Sequence, residues 1–355
     1  MKKLNTSIIL LVVLTGAIFL GVGCSDDDSS RDTTLAKDVM DTITNTVAEN
    51  LAEGFIIDKP ELANQDEEVP EHKRQDGAIE DISDFVFAKD ELYATFNGGV
   101  IKYCFSDKTQ SIIPFDEKFN AIGLHDGQIF VGGDYLYELV DEKLVLVDQP
   151  FDGRVTDLYS YNNQLMVGTD FGLYVWEYAG PRKVFDDVYI TSMVADNDGL
   201  WVGTEGEGLY RWDGENFKKR YLIRDTSLFD YVNTLAFNHD HLYVGSSNGF
   251  HIYDGGKWTN LGEADGLATD NINNIDASGW VVYLASDKGV MSYFNNELKP
   301  VVKLENQQAT VVGKNDAQLV VATKYDGLLQ KTGGTLSTIV QPLTGTEVDI
   351  LSLVY

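Results

Sequence analysis

Between Ile79 and Tyr355 an apolar residue is followed eight positions later by a second one, seven times over, and this repeat predicts an all-β fold, a seven-bladed β-propeller. Two further observations agree with it. A glycine follows the second residue of the pair by six or seven positions in six of the units, and Asn, Asp and Gly cluster between the two members of the pair. A signal peptide, a short helix and a flexible linker are expected to precede the propeller.

The start of the chain reads as a targeting segment. Lys2 and Lys3 precede a mostly apolar run over residues 8–23 that is shorter than the roughly 20 residues a spanning helix needs. The run ends in Gly21, Val22 and Gly23, directly before Cys24, so residues 1–23 are expected to be a signal peptide. Cys24 in this setting resembles the acylation site of bacterial lipoproteins, although Gly21 stands where such sites usually carry Leu, Val or Ile. Lipidation of Cys24 would tether the chain to the outer membrane by its lipid alone; ordinary secretion and an uncleaved helix are the alternatives. Residues 24–31, with Ser25-Asp26-Asp27-Asp28, form an acidic tether that reads either as an export tag or as a solvated linker.

Residues 32–54 have a helical pattern, with Ala36, Met40, Ile43, Val47 and Leu51 three or four apart, Asp32 placed to cap the start and Gly54 the end. This amphipathic helix would be a spacer or flank, or else a dimerising coiled coil. Residues 55–78 carry Asp66-Glu67-Glu68 and little apolar content, so a flexible linker is expected there.

The propeller is assigned to residues 79–355. The first apolar set is Phe85, Ile122, Leu158, Met193, Leu235, Ile275 and Val312; the second is Tyr93, Phe130, Met166, Trp201, Tyr243, Tyr283 and Val320. A spacing of eight fits two short strands joined by a tight turn, such as Asp126-Gly127 or Asn162-Asn163. Runs such as Leu165-Met166-Val167 are apolar at consecutive positions, which means that both faces of the strand are covered. Sheets packed between neighbouring sheets meet that requirement. The glycines are Gly99, Gly172, Gly208, Gly249, Gly289 and Gly327; the second unit has Asp134-Tyr135-Leu136-Tyr137 instead. The segment 348–355 copies the first strand of a unit. It either closes the ring on the first blade, removing two exposed edges, or begins an eighth blade.

Leu200-Trp201-Val202-Gly203-Thr204 followed by Gly208-Leu209-Tyr210-Arg211-Trp212 resembles the two-component regulator propeller repeat. Val167-Gly168-Thr169 with Gly172-Leu173-Tyr174 is a second copy, and Val244-Gly245-Ser246, Leu284-Ala285-Ser286 and Val321-Ala322-Thr323 are drifted ones. The resemblance implies a periplasmic sensor propeller of the kind found in hybrid histidine kinases, often for oligosaccharides. The chain ends at Tyr355 without the second transmembrane helix, Ig-like domain or kinase of that family, so signalling is expected to pass through another protein.

Charge and composition exclude several function classes. The formal net charge is −29, and loss of residues 1–23 removes two lysines and no acid. Such a chain repels nucleic acid and anionic membrane surfaces. Once Cys24 is acylated only Cys104 remains, so neither an intrachain disulfide nor a multi-cysteine zinc site is expected.

No convergent catalytic set appears, and the sialidase-type box and the WD, kelch and YWTD patterns are missing. His239 and His241 fall in a strand-pair turn and read as surface polar residues. Asp196, Asp198 and Gly199 read as a β-turn, since a calcium loop needs further oxygen ligands. Cys104 reads as a half-buried, inert thiol. No catalytic residue, metal or cofactor is assigned.

Binding is expected on the face that carries the connections between blades and the turns between second and third strands, where the loops 223–231 and 262–271 are long. Phe171, Glu205, Glu207, Arg224, Asp225, Phe229, Asp230, Tyr231 and Tyr325 would sit there, a mix of aromatic and hydrogen-bonding groups suited to sugars or peptides. Asp84, Asp157, Ser192, Thr234 and Asn274, at the start of the innermost strands, would line the channel mouth or merely solvate it. The leading reading is an envelope-tethered propeller that binds an envelope or extracellular protein or a glycan. A polysaccharide lyase or hydrolase and a structural scaffold are the alternatives.

Overall fold

The computed structural model describes residues 81–147, 151–177, 180–221, 230–315 and 318–341. The segments expected over residues 1–78, with Cys24, and the last strand expected over 348–355 lie outside them.

The described residues are almost entirely strand. β1 (Asp84–Ala88), β2 (Glu91–Cys104) and β3 (Gln110–Lys118) form the first antiparallel sheet, and β4 (Ala121–His125), β5 (Gln128–Gly132), β6 (Leu136–Val140) and β7 (Lys143–Leu146) the second. β8 (Val155–Tyr161), β9 (Gln164–Thr169), β10 (Gly172–Glu177) and β11 (Gly180–Asp186) follow in the same up-and-down order. Next come β12 (Ile190–Ala195), β13 (Leu200–Gly206), β14 (Leu209–Trp212) and β15 (Phe217–Tyr221), then β16 (Asp230–Asn238), β17 (His241–Ser246), β18 (Gly249–Tyr253) and β19 (Trp258–Leu261). These two groups are joined into one eight-stranded sheet where Glu205 pairs with Tyr231 and Gly206 with Asp230. β20 (Asn274–Asp276), β21 (Val282–Ser286), β22 (Gly289–Phe294) and β23 (Glu297–Glu305) precede the last group, β24 (Ala309–Asn315), β25 (Gln318–Thr323), β26 (Leu328–Thr332) and β27 (Thr335–Val340).

In the first sheet β2 serves as two strands. Its first half pairs with β1 and its second half with β3, and between them Gly98 and Gly99 take φ of 143 and 139.

Apolar side chains fill the spaces between consecutive sheets. Met166, Leu173 and Val175 of one sheet meet Ile190, Met193, Val202 and Trp212 of the next, and Trp201 and Leu209 in turn meet Val232, Leu235 and Val244. The last group packs on the first through Val311, Val320 and Leu328 against Phe85, Leu92 and Ile101. This is a β-propeller, whose core is a set of wedges, and it accounts for the consecutive apolar positions in the strands. All of the first apolar set is buried, and of the second only Tyr283 is half-exposed.

The recurring Val-Gly-Thr/Ser run has a separate physical cause at each position. The glycine lies where the next sheet comes closest: a Cβ on Gly168 would stand 2.7 Å from Ile190 Cγ2, and one on Gly203 2.5 Å from Val232 Cγ1. Of the drifted copies one keeps the glycine, Gly245, and two have the next smallest residue, Ala285 and Ala322. The Thr or Ser is buried and closes the following turn, Thr169 Oγ1 donating to the Gly172 carbonyl at 3.1 Å and accepting from Phe171 N–H at 3.1 Å. Thr204, Ser246, Ser286 and Thr323 donate in the same way to Gly208, Gly249, Gly289 and Gly327. All six repeat glycines hold positive φ, the region that costs other residues about 1–2 kcal/mol. In the second unit, where the glycine is missing, Glu117 supplies the cap: its carboxylate accepts N–H bonds from Asp134 and Tyr135 and the Tyr137 hydroxyl at 2.6 Å.

Side chains also stitch neighbouring sheets. Two residues before six of the seven first-set positions a polar group donates to a backbone carbonyl of the next unit: Ser83 to Phe119 at 2.7 Å, Asn120 to Val155 at 3.2 Å, and Thr156 to Ile190 at 2.6 Å. Asn233 reaches Ile272 at 2.9 Å, Asn273 reaches Ala309 at 2.9 Å, and Thr310 reaches back to Ile82 at 2.8 Å. Thr191 holds the same position, but its buried hydroxyl has no partner among the described residues.

Candidate functional site

Antiparallel order puts the turns between second and third strands and the connections between sheets at one end of the propeller. Large rings stand exposed there: Phe171 is 54% exposed, Tyr325 56% and Tyr231 40%. Tyr135, which the sequence reading did not single out, joins them at 59%. It sits in the second unit's turn, which lacks the repeat glycine, and that departure from the repeat was the available signal.

Glu205 and Glu207 are exposed at the same end, on either side of the β13–β14 turn. The Glu207 carboxylate accepts the Tyr210 hydroxyl at 2.7 Å. Glu205 is the ladder partner of Tyr231, so the two residues share one sheet. Lys324 Nζ lies 5.5 Å from the centre of the Tyr325 ring. Arg224, Asp225 and Phe229 lie outside the described residues, and Asp230 is described by its backbone alone.

The second long loop, 262–271, is anchored. Its 3-10 turn, Glu263–Asp265, is closed by Gly262 N–H donating to Asp265 at 3.0 Å, Asp270 accepts Glu263 N–H at 2.8 Å, and Leu267 and Ile272 are buried against the neighbouring sheet.

At the innermost strands the five residues read as channel-lining are engaged within the fold. Asp84 accepts N–H bonds from Phe85 at 2.8 Å and, across to the next unit, from Ile122 at 3.1 Å. Ser192 accepts Leu235 N–H at 3.0 Å and Asn274 accepts Val312 N–H at 3.0 Å in the same relation. Asp157 is bonded by the backbone of Leu158 and Met193. Thr234 is buried, beside Gly245.

Burial pushes the Asp84 carboxyl up to about 7, against the pull of the Ile122 and Phe85 amides. Burial likewise raises Asp157 to about 8, and the charge of Asp84 adds to it, which places the two carboxyls in each other's field. Both residues are half-buried. Among the described residues no three His, Cys, Asp or Glu side chains gather as a metal site.

The other residues weighed from sequence have structural partners. Asp196 accepts Asp198 N–H at 2.8 Å, Gly199 N–H at 2.9 Å, Trp201 Nε1 at 2.8 Å and Arg211, whose guanidinium also lies 4.9 Å from the Trp201 ring centre. Cys104 is half-buried in β2, its Sγ 3.2 Å from Ser106 Oγ. His239 and His241 lie at the β16–β17 turn, at the opposite end from Phe171, where His239 stacks on Trp280.

Residues 185–206, running from the end of β11 through β12 and β13, match the family model described as two component regulator propeller. The chain carries a two-component regulator propeller repeat.

Among solved structures, this propeller is similar to the extracellular domain of BT4673 from B. thetaiotaomicron, described as a putative one component system, at 16% identity and a TM-score of 0.60. That likeness covers 72% of this chain and 40% of the other, so the chain spans less than half the length of that relative. It is similar too to the WD40 β-propeller domain of Doa1, at 14% identity, a TM-score of 0.55 and coverage of 72% and 93%. The computationally designed Ika8 protein gives 14% identity, a TM-score of 0.55 and coverage of 71% and 83%. At these identities the likeness is one of fold. No curated protein matches the sequence.

Proposed function

We propose that the chain is a secreted, seven-bladed propeller, tethered to the outer membrane through Cys24, that binds an envelope or extracellular protein or a glycan without catalysis. Seven repeat units, seven inter-sheet wedges and the Thr310–Ile82 bond between the last unit and the first support the blade count. The observation that carries the binding reading is the set of rings Tyr135, Phe171, Tyr231 and Tyr325 left exposed at one end of a rigid scaffold. Exposed aromatic rings on the loops of one end of a scaffold supply apolar area with a polar edge, which suits recognition of a sugar or a peptide. Glu205 and Glu207 add acceptors for hydroxyl or amide donors. The repeat carried by residues 185–206, and the extracellular source of one similar structure, support a role in sensing outside the cytoplasm.

The test is a triple substitution, Phe171→Ser, Tyr231→Ser and Tyr325→Ser, in the lipid-bearing protein. Affinity capture and thermal shift against soluble glycans should yield a ligand for the parent chain and none for the variant, at unchanged melting temperature. Retention of every interaction by the variant would favour the scaffold reading, and turnover of a captured polysaccharide the enzymatic one.

A further inference from the structure

At the end opposite Phe171 the turns joining first to second and third to fourth strands of two neighbouring blades enclose a cleft of about 350 Å³. That volume lies in the range of small-molecule sites. Four aromatic rings line it: Tyr243, Trp280, Tyr293 and Phe294. Trp280 is 77% exposed and Phe294 47%. The turn that presents Trp280 is pinned, because Asn238 Nδ2 donates to the carbonyls of Ala277 and, at 3.2 Å, Gly279. The indole itself is held by the His239 ring, with centroids 4.0 Å apart and planes inclined by 28°. A large ring is thus fixed in water, where no fold requirement places it.

The polar groups of the cleft indicate what the rings would bind. No lysine or arginine lines it; the imidazoles of His239 and His241 do, and the one carboxylate is that of Asp254. Hydrogen bonds from Lys257 and Gly256 N–H, and the nearby His241 ring, hold that carboxyl below the usual carboxylate range, so it is ionised at neutral pH. Asn296 Oδ1 already accepts the Tyr293 hydroxyl at 2.8 Å and Asp254 Oδ1 accepts two backbone N–H groups, which leaves the second Asp254 oxygen to face a ligand. Of the rings, Tyr243 is stacked between His241 and Phe250 and Trp280 gives one face to His239, which leaves the other face of Trp280 and the exposed Phe294 ring to meet a ligand. Aromatic faces beside a carboxylate, with no lysine or arginine to compete, attract organic cations through the ring quadrupole and direct charge attraction. We infer that the cleft formed by Tyr243, Asp254, Trp280, Tyr293 and Phe294 is a binding site for an organic ammonium group. It lies apart from the face argued above, so the two readings stand or fall separately.

Choline and Nα-acetyl-lysinamide serve as probes, with 3,3-dimethyl-1-butanol as the uncharged mimic of choline's shape. Binding to the full chain is read by tryptophan fluorescence and by calorimetry. At least one cation should bind saturably, and about tenfold or more tightly than its neutral counterpart. Preference for choline would identify a quaternary headgroup as the source, and preference for the lysine derivative a peptide side chain. Trp280→Ala should weaken binding about tenfold without changing the melting temperature, and Phe294→Ala provides a second such test should the first variant fold poorly. Equal binding of 3,3-dimethyl-1-butanol, absence of saturable binding by both cations, or unchanged affinity in both variants would overturn the assignment.

Discussion

The hydroxyl of Thr310 donates a 2.8 Å hydrogen bond to the carbonyl of Ile82, 228 positions earlier in the chain. It is the same bond that Thr156 makes to Ile190, formed here between the last unit and the first.

Removing this bond should destabilise the propeller as a whole. Thr310→Val keeps the shape and leaves a carbonyl unpaired, so a loss of about 1–2 kcal/mol is expected in urea unfolding. Thr191→Val gives the opposite expectation. Its hydroxyl is buried and has no partner among the described residues, so the variant should be neutral or up to about 1 kcal/mol more stable.

Asp157 and Asp84 should make stability depend on pH in an unusual direction. Their carboxyls titrate at about 8 and about 7 in the folded chain, well above the unfolded value near 3.9. The folded state therefore binds more protons than the unfolded state, and their contribution is full below about pH 4 and is lost as pH rises toward 8. Asp157→Asn should match the parent near pH 4 and exceed it at pH 8, with a melting temperature higher by about 2–4 °C for each kcal/mol recovered. Melting curves of both proteins across that range give the difference directly.

Gly172 should tolerate no side chain. Its φ is 149 and a Cβ would stand 2.1 Å from the Phe185 carbonyl oxygen, so Gly172→Ala should lose about 2–4 kcal/mol. Gly127, at φ 80 with open space around its missing Cβ, should lose only about 1 kcal/mol on the same change. Parallel urea titrations would separate conformational strain from collision.

The Asp196 turn should behave as a single structural lock. Burial raises its carboxyl, but Arg211, the Asp198 amide and the Trp201 indole together outweigh that and hold it below its ordinary value. Its contribution is therefore present above the unfolded pKa and fades as pH falls below about 4, opposite in sign to that of Asp157. Asp196→Ala should cost about 2–4 kcal/mol at pH 7 and distinctly less near pH 3, read by urea unfolding at the two pH values.

Most of the propeller was legible in the sequence because its contacts repeat. Phe85, Leu158 and Met193 pack between sheets at equivalent places, and Gly168 and Thr169 have equivalents in other units; such positions show themselves by recurrence. The turns Asp126-Gly127 and Asn162-Asn163 do adopt the positive φ their composition implies. Residues whose role depends on a neighbour far along the chain were harder to read. Glu117 replaces a glycine one unit away, and Asp84 bonds to Ile122, so neither looks unusual in its own segment. The same holds for the candidate sites. Phe171, Tyr231 and Tyr325 could be assigned to a face from topology alone. The cleft around Trp280 could not, because it draws on turns of two units whose side chains meet only once the blades are packed.

The short ladder between Glu205 and Tyr231 makes the propeller mechanically uneven around its axis. Elsewhere among the described residues neighbouring blades are joined by side chains and by isolated main-chain bonds, such as Val155 N–H to the Gly133 carbonyl at 2.8 Å and Ile272 N–H to the Ser246 carbonyl at 3.0 Å; at this seam separation must break a ladder that makes the two blades one sheet. Thermal opening should therefore begin at other seams, and hydrogen exchange should leave β12–β19 as a block of eight strands that protects its amides together. Tyr231 and Glu205 stand on that stiffest sector, which would give anything that docks there a floor that does not yield.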